Sequence, residues 1–594
     1  MTDWVKTLSK VLYVDLTKKM YWIEDREDLF SKWLGGVGVA TQLYKEEVPK
    51  STDPLSPENV IVLAIGPLTL AYPLASKTVA VFKSPLNGYF AESHAGGRSA
   101  AAIRSAGYGA VVIKGSSERP IYIIIDSSKV RFRDAATLWG MRSTETVGRI
   151  LREVAPGPGH RAIMRIGRAG ERLVRYATVV TETYRHFGRM GLGAVFGSKK
   201  LKAVVIVGKK GCRVPDIRGY REVYNEIYDL ATKSPLMKKY HDLGTPANIL
   251  PLNELGALPT KNFTSGKFDL AEEISGEKLA ETVLVRRIAC AGCPTACIHI
   301  AGLREEYPEE KFFFKIKFIS YDYELLYALG SNLGVGRREG ILKLIEAVEE
   351  EGVDAISAGV ALAWATEAYL RGLVTDEETL VPLNWGYYDS YVKAIHYIVK
   401  QPNEFYKTLA LGVEEAAAKY GGKEFAVTFN KVEPAGYLTG PLYFISLIAG
   451  ARHSHLDAGG YSMDEKLLKK GGLPEPREAM RMVAEEEAWR QVLNSLVVCL
   501  FARGIYKPEV VVKSLKTLGY SFTPEDLVKL GKRIYVEKHS IKLKEGYDPL
   551  KVRIPERILE TPTPHGKLSS DYIKEALKAF KEVLSEFRSE VGEN

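Results

Sequence analysis

The pattern of hydrophobic and polar positions divides the chain into two parts. In the first 210 residues, short runs rich in valine and isoleucine are bounded by glycine, proline, asparagine or serine, which is the pattern of β-strands. These runs cover residues 60–65, 110–113, 121–125 and 203–207, and a short helical pattern covers residues 97–106. The first part is therefore predicted to be sheet-based with some helices, α+β rather than a regular alternation of strand and helix.

Beyond residue 210, apolar residues recur at intervals of three and four, which is the period of an α-helix. This period predicts helices at residues 338–351, 354–370 and 479–500. A last helix is predicted from a cap at Ser570 or Asp571, with a core-facing apolar stripe. The stripe consists of Ile573, Leu577, Phe580, Leu584 and Phe587.

Proline and glycine interrupt the helical part near its middle, at Pro382, Pro402 and Gly421-Gly422. We therefore predict an α+β chain of three domains. The predicted domains are a sheet-based domain at 1–210, a mainly helical domain at 211–420 and a second mainly helical domain at 421–594.

Composition and charge narrow the class of protein. The 594 residues are 46% hydrophobic and 26% charged, as in globular domains. The net charge of +9 is spread along the chain, whereas nucleic-acid binders concentrate it on one face, so no nucleic-acid partner is predicted. A mildly basic surface suits a small acidic protein partner. The sequence has only three glutamines but abundant lysine and glutamate, and this composition is typical of proteins from thermophilic organisms.

The sequence predicts a soluble, cytoplasmic protein. The N-terminus lacks the basic start and apolar core of a signal peptide. No apolar stretch reaches the ~18 uninterrupted residues of a membrane span.

The strongest chemical signal is a group of three cysteines within eight residues, Cys290, Cys293 and Cys297. With Gly292 and Pro294 forming a tight loop, the three thiolates can turn toward one centre. An iron–sulfur cube needs four thiolates, and the fourth has to be Cys212 or Cys499. A zinc site completed by His299 or by a fourth cysteine, and a set of inert buried cysteines, are the alternatives.

Several glycine-rich loops occur in the first domain, at residues 35–38, 94–98, 107–109 and 185–193. Glycine lets backbone approach a ligand closely, and nearby arginines can bind phosphate. The loops lack the nucleotide-binding fingerprints, G-x-G-x-x-G after a strand and G-K-S/T. Together with Arg98, Arg185 and Arg189, they predict an anionic ligand.

These segments together resemble the tungsten-dependent aldehyde:ferredoxin oxidoreductase family, over essentially the whole chain. The resemblance is carried by the series Leu34-Gly35-Gly36, Asp53-Pro54-Leu55-Ser56-Pro57-Glu58-Asn59, Gly66-Pro67-Leu68-Thr69, Lys83-Ser84-Pro85-Leu86, Ser93-His94-Ala95-Gly96-Gly97, Gly107-Tyr108, and Gly188-Arg189 to Gly197-Ser198-Lys199. It implies a base of sheets under two pterins that hold tungsten or molybdenum, with two helical domains above. It also implies a [4Fe–4S] cluster whose fourth ligand is Cys499, a Mg²⁺ ion bridging the pterin phosphates, an aldehyde substrate, ferredoxin as electron acceptor and, in many relatives, a homodimer.

The resemblance also implies two pterin-binding motifs of the form Asp-x-x-Gly-Leu-Asp/Cys. The first is Glu349-Glu350-Glu351-Gly352-Val353-Asp354, and the second, more divergent, is Asn494-Ser495-Leu496-Val497-Val498-Cys499. Without the resemblance, these segments are interpreted as a helix end and a helix interior. The predicted cofactor-binding residues are Lys77, Ser93, His94, Ala95, Gly96, Gly97, Arg185, Gly188, Arg189, Gly191, Glu349, Gly352, Val353, Asp354, Asn494 and Val498.

Oxidation of an aldehyde requires groups that transfer protons near the metal. The resemblance implies such groups at Asp322 and Glu324, and at His453 or His455, of which we favour His453. Glu433 and Asp457 are weaker candidates. The predicted function is oxidation of an aldehyde to an acid. The alternatives are a different substrate on the same scaffold and a non-catalytic electron-transfer subunit of a larger complex.

Overall fold

Two six-stranded sheets form the N-terminal part of the protein, which we describe from a computed structural model. The structure describes residues 3–155, 157–182, 184–211, 213–307 and 309–592, and Cys212 lies outside them. The first sheet contains β1 (Lys10–Asp15), β2 (Met20–Asp25), β3 (Ile61–Ala64), β4 (Thr78–Lys83), β5 (Phe90–Ala95) and β6 (Ala110–Lys114), in the order β2-β1-β6-β3-β4-β5. Only β1 and β6 pair in parallel.

The second sheet contains β7 (Ile121–Ile125), β8 (Val130–Asp134), β9 (His160–Arg165), β10 (Val179–Val180), β11 (His186–Phe187) and β12 (Leu201–Gly208), in the order β11-β10-β9-β12-β7-β8. Strands β7 and β12 pair in parallel. The four predicted valine and isoleucine runs are β3, β6, β7 and β12, which are nearly fully buried. A strand buried on both faces has no polar alternation, which explains these continuous apolar runs.

Short helices connect the strands of this part. They are α1 (Asp3–Leu8), α2 (Glu27–Trp33), α3 (Gly36–Glu47), α4 (Ser99–Ala106), α5 (Thr144–Val154), α6 (Arg168–Glu171) and α7 (Leu192–Ser198). The helix predicted at 97–106 is α4, and Gly107 ends it in the left-handed conformation.

Helices carry most of the remaining chain, so the predicted α+β class is confirmed. They are α8 (Ile217–Lys233), α9 (Pro235–Asp242), α10 (Ile249–Glu254), α11 (Gly276–Thr282), α12 (Tyr323–Leu329), α13 (Arg338–Glu351), α14 (Ala355–Leu370), α15 (Asp376–Thr379), α16 (Tyr388–Lys400), α17 (Glu404–Leu409), α18 (Val413–Tyr420), α19 (Pro441–Ala449), α20 (Gly460–Lys470), α21 (Pro476–Ser495), α22 (Pro508–Thr517), α23 (Pro524–Lys544), α24 (Glu556–Glu560), α25 (Ser570–Lys578) and α26 (Phe580–Glu590). Within the described residues, no helix has the length and apolar composition to cross a membrane.

Two predicted helices differ from the observed ones. The helix predicted at 479–500 ends at Ser495, so the interpretation of residues 494–499 as a helix interior is wrong. Val497 adopts a left-handed backbone that stops the helix there. The predicted C-terminal helix is two helices that meet at Ala579, but its stripe is buried as predicted.

A three-stranded antiparallel sheet lies inside the region predicted to be mainly helical. It consists of β13 (Leu284–Ile288), β14 (Ile298–Tyr307) and β15 (Glu310–Tyr321), in that order. The cysteine segment is the loop between β13 and β14. Ala416 and Phe425, on either side of residue 420, belong to one apolar core, so the domain boundary near residue 420 stays a prediction.

Candidate functional site

The cysteine loop lies against the glycine loop that follows β5. The amide of Ala291 donates a hydrogen bond to the carbonyl of Gly97 at 2.9 Å. A Cβ atom placed on Gly96 would lie 2.9 Å from Cys290 Sγ, closer than real Cβ contacts. Two segments almost 200 residues apart in the sequence, both predicted to bind cofactor, are therefore in contact.

Cys499 reaches the same place from the turn after α21. Its amide donates to the carbonyl of Leu74 at 2.8 Å. Burial raises the pKa of Cys293 to about 11, and the nearby Cys290 and Cys499 add to this rise. Burial raises the pKa of Cys297 to about 12, and the other three cysteines contribute, while Arg185 opposes the shift. The four described cysteines therefore converge on one centre.

The thiols of Cys293 and Cys297, whose pKa values are raised, need a positive centre to become thiolates, and a metal cluster provides one. Among the described residues, no three His, Cys, Asp or Glu side chains are close enough to share a single metal ion. A cube takes one thiolate at each iron, which requires wider spacing than one ion does. The donor set thus fits an iron–sulfur cube.

Buried cations surround the space beside the cysteines. Burial lowers the pKa of the Lys77 ammonium, and Cys499 partly opposes this shift. Burial alone would lower the pKa of Arg185, but Cys297, Cys290 and Asp322 raise it. Among the described residues, no carboxylate oxygen lies within 4 Å of Lys77. The space therefore suits an anionic group.

Several buried polar atoms near these cations have no hydrogen-bond partner within the described residues. They are both ring nitrogens of His94, Nη2 of Arg452 and Oδ1 of Asn494. His94 Nε2 lies 3.6 Å from Glu92 Oε1, and burial together with Arg452 lowers the pKa of His94 to about 3. Buried polar atoms are normally satisfied, so donors and acceptors left open together indicate a polar ligand. This set fits a pterin with its phosphate.

The two predicted pterin motifs form the same kind of turn. Gly352 and Val497 are both left-handed, with φ of +74° and +57°. In each turn, the amide of the next residue donates a hydrogen bond to a carbonyl of the preceding helix. Val353 donates to the carbonyl of Val348, and Val498 donates to the carbonyl of Leu493. The second turn packs on the first domain, where a Cβ on Gly36 would lie 2.3 Å from the Asn494 carbonyl oxygen.

The first motif is tied to the glycine loop at 185–193. Glu349 accepts from His186 Nε2 at 2.8 Å. Asp354 caps α14 by accepting from the amide of Ile356, and it also pairs with Arg189 Nε at 3.3 Å. The amide of Arg189 in turn donates to Ser93 Oγ at 3.4 Å.

The remaining loop residues have mainly structural surroundings. Ala95 ends β5, a Cβ on Gly188 would make an ordinary 3.8 Å contact with His186 Cβ, and Gly191 precedes α7 where a Cβ would clash with the Arg175 carbonyl. The structure therefore brings the predicted cofactor-binding residues into one region between the first domain and the helices, but Glu349 and Asp354 already have protein partners.

Glu324 and His455, two of the residues predicted to transfer protons, are in contact. His455 Nε2 lies 3.2 Å from Glu324 Oε1, which also accepts from the Tyr437 hydroxyl at 3.2 Å. Burial alone would raise the pKa of Glu324, but His455 and Tyr437 lower it. Asp322 caps α12 and lies 4.0 Å from Arg185, and burial together with Glu324 raises its pKa to about 6.

His453, which we favoured from the sequence, faces another part of the protein. Its Nδ1 donates to the Leu447 carbonyl at 2.9 Å, and its Nε2 accepts from Lys542 at 2.9 Å and from Asn430 at 2.8 Å. Burial and Lys542 lower its pKa well below the usual value. Of the two histidines, His455 is the one that lies beside Glu324. Asp457 binds Arg452 Nε at 2.8 Å.

Aromatic side chains that the sequence pattern does not single out surround Glu324 and His455. Tyr437 stacks on Tyr461 with ring centroids 4.2 Å apart and lies 5.5 Å from His455. Tyr240 stacks on Phe501 at 4.5 Å. Such isolated tyrosines follow no sequence period. Arg452 was detectable, because it directly precedes the predicted histidine.

Comparison with known proteins shows which chains this one is similar to. The family profile described as "Aldehyde ferredoxin oxidoreductase, N-terminal domain" matches residues 11–208, and the profile for domains 2 and 3 matches residues 222–592. The tungsten-containing aldehyde ferredoxin oxidoreductase of Pyrococcus furiosus is 34% identical over 565 residues, covering 91% of this chain and 89% of that protein. The Thermococcus kodakarensis enzyme of the same name is 33% identical with the same coverage.

One further relative and one solved structure have other compounds in their names. The "aliphatic sulfonate oxidoreductase, WOR-like subunit" of Pyrococcus furiosus is 31% identical over 88% of this chain and 84% of that protein. The solved BamBC complex of benzoyl coenzyme A reductase, with 1,5 dienoyl-CoA, has a chain that matches with a TM-score of 0.83 and 20% identity, covering 99% of this chain and 97% of that one. This second likeness shows the fold alone. From the profiles and the first relatives, the chain belongs to the aldehyde ferredoxin oxidoreductase family of tungsten-containing oxidoreductases.

Proposed function

We propose that the protein oxidises an aldehyde to a carboxylic acid and delivers the electrons to ferredoxin. The conversion adds a water oxygen to the carbonyl carbon and releases two protons and two electrons. The observation that carries the proposal is the contact of Glu324 with His455 and Tyr437, beside Asp322 and Arg185.

Two groups of residues would hold the cofactors. The bis-pterin would be held by Lys77, His94, Arg452 and Asn494, and an iron–sulfur cube by Cys290, Cys293, Cys297 and Cys499. When bound, the tungsten–pterin group supplies a two-electron acceptor, and the cube passes the electrons on singly.

Glu324 is the proton acceptor in this proposal. Its carboxylate stays ionised because His455 and Tyr437 lower its pKa, so Oε1 can take the proton of the attacking water. His455 Nε2, 3.2 Å away, shares that proton and keeps the carboxylate oriented. The rings of Tyr437 and Tyr461 exclude bulk water from one side of the pair, which strengthens both interactions.

The magnesium ion stays a prediction. The side-chain atoms left open near Lys77 are the ring nitrogens of His94, Nη2 of Arg452 and Oδ1 of Asn494. Mg²⁺ prefers oxygen ligands in octahedral geometry, so Asn494 Oδ1 is the one atom of this set that suits it.

The proposal is tested with anaerobically purified holoprotein, aldehydes of several sizes and benzyl viologen as electron acceptor. We expect dye reduction by the wild type and a loss of about 10²-fold or more in kcat for Glu324→Gln and His455→Asn. Full tungsten loading without any dye reduction by aldehydes would contradict the proposal.

A second candidate is oxidation of a substrate other than a free aldehyde. It is favoured by the 31% identical relative named for an aliphatic sulfonate and by the departures from the family motif at Asn494 and Val497. Reduction of the dye by a sulfonate, and not by aldehydes, would select it. That relative is called a subunit, so a role in a larger complex stays an alternative, as does a homodimer.

A further inference from the structure

The outer face of the β13–β15 sheet carries exposed apolar side chains with Arg286, Arg304 and Glu306 among them, whereas its inner face carries paired charges. On the inner face, Lys315 pairs with Glu305, and Lys317 pairs with Glu346 and Glu350. On the outer face, Phe314, Ile316 and Phe318 are 40%, 57% and 44% exposed. A surface sheet normally has the reverse arrangement, so this outer face is built to contact something.

The outer face is continuous across all three strands because residue 302 is glycine. Gly302 lies opposite Phe318 in the sheet. A Cβ on Gly302 would lie 2.7 Å from Val285 Cγ2 and 3.8 Å from Ile316 Cγ2. The absence of a side chain there lets Val285, which is 54% exposed, lie beside Ile316. We call the surface of Val285, Phe314, Ile316 and Phe318 the hairpin face.

Two arginines lie flat on the hairpin face. The guanidinium of Arg304 is 3.6 Å from the ring centroid of Phe314, and that of Arg286 is 5.3 Å from the ring centroid of Phe318. Among the described side chains, no carboxylate lies within 4 Å of either guanidinium. An arginine stacked in this way keeps its N–H edge available for carboxylates of a partner, although Arg286 also interacts with the Tyr184 hydroxyl.

The hairpin face belongs to the same sheet as the cysteine loop. That loop begins directly after β13 and ends directly before β14. Gly302 lies five residues beyond Cys297, which is about 17 Å along a strand. A protein of ~60 residues has a radius of gyration of about 10 Å, so one docked on the hairpin face also reaches the cysteine loop.

We infer that the hairpin face is the docking site of a small acidic electron-carrier protein. This inference rests on the proposed function, in which electrons leave the protein. Its apolar side chains provide several hundred Å², the size of a weak, transient redox interface. A second copy of this chain is disfavoured, because both copies would present the same excess of positive charge, two arginines against Glu306.

The test uses the holoprotein and a purified, acidic [4Fe–4S] ferredoxin as the probe. The variants are Phe314→Ser with Phe318→Ser, and Arg304→Glu. Phe313→Ser is the matched control, since Phe313 is 64% exposed on the same strand and is not one of the four side chains that form the hairpin face. Ferredoxin affinity is measured by calorimetry without turnover, and reduction rates are measured with ferredoxin and with benzyl viologen.

We expect both hairpin-face variants to raise the Kd and the KM for ferredoxin about tenfold or more, with dye-linked kcat within twofold of the wild type. Arg304→Glu should also weaken the salt dependence of binding. Unchanged ferredoxin affinity, or an equal loss in Phe313→Ser, would overturn the inference. The inference would also be overturned if the wild type were a dimer and the Phe314→Ser, Phe318→Ser variant were a monomer that still binds ferredoxin. Ferredoxin binding without any substrate oxidation would contradict the proposed function but not the docking site.

Discussion

Gly352 and Val497 occupy the same position in two turns of one geometry. Each is left-handed and follows the last turn of a helix, and each is followed by an amide that reaches back five residues into that helix. Valine in this conformation costs about 1–2 kcal/mol, since its branched side chain crowds the backbone. The second turn keeps its shape despite that cost, as expected of a turn with a functional role.

The turn at Gly352 should not tolerate a side chain. A Cβ there would lie 2.9 Å from the amide nitrogen and 3.2 Å from the Cα of Gly167, at φ +74°. Gly372 has a similar φ of +72° and no atom within 4 Å, so Gly372→Ala has only the backbone cost of about 1 kcal/mol. We expect Gly352→Ala to lower the melting temperature clearly more than Gly372→Ala. Equal melting temperatures would contradict the packing described here.

Gly96 is expected to control assembly of the cluster. The 2.9 Å approach of its missing Cβ to Cys290 Sγ means that Gly96→Ala has to displace the thiol. Gly188 belongs to another predicted cofactor loop, and its nearest neighbour would be 3.8 Å away. Iron content per chain should fall in Gly96→Ala and stay at the wild-type level in Gly188→Ala. Full iron content in both variants would show that the contact between Gly96 and Cys290 does not affect assembly of the cluster.

The buried carboxyl of Glu433 should make stability depend on pH. Burial raises its pKa to about 7, while Ser357 and Arg189 partly oppose the shift. The folded protein therefore binds this proton more tightly than the unfolded chain does. The stabilising contribution of this carboxyl to the free energy of unfolding is fully present below pH ~4.5. It falls by about 3 kcal/mol as the pH rises through 7.

Melting temperatures of the wild type and of Glu433→Gln, measured across this pH range, test this dependence. The wild type should lose stability relative to the variant as the pH rises. A constant difference between the two would exclude the raised pKa.

Much of the fold could be predicted because its signals are local. Strands β3, β6, β7 and β12 are continuous apolar runs. The third sheet was missed although residues 314–318 alternate with period two, because the helical period on both sides was extended across them. The apolar residues of this sheet face solvent, whereas a prediction from hydrophobic pattern expects apolar residues to be buried in the core.

The two histidines could not be separated by sequence. His453 and His455 lie two residues apart in a segment that is neither helix nor strand. Its path is fixed by Asp457, which accepts from the amides of Arg452 and Ser454. These hydrogen bonds are local, but the position of His455 beside Glu324, which is far away in the sequence, depends on tertiary packing.

The central claim is that four cysteines from two distant segments hold one iron–sulfur cube beside a tungsten–pterin group. The most direct measurement is metal analysis with electron paramagnetic resonance of the dithionite-reduced protein, for the wild type, Cys499→Ser and Cys212→Ser. The account predicts about four irons and one tungsten per chain, with a cluster signal that Cys499→Ser loses and Cys212→Ser keeps. A cluster signal that survives in Cys499→Ser, or a wild type without tungsten or molybdenum, would contradict it.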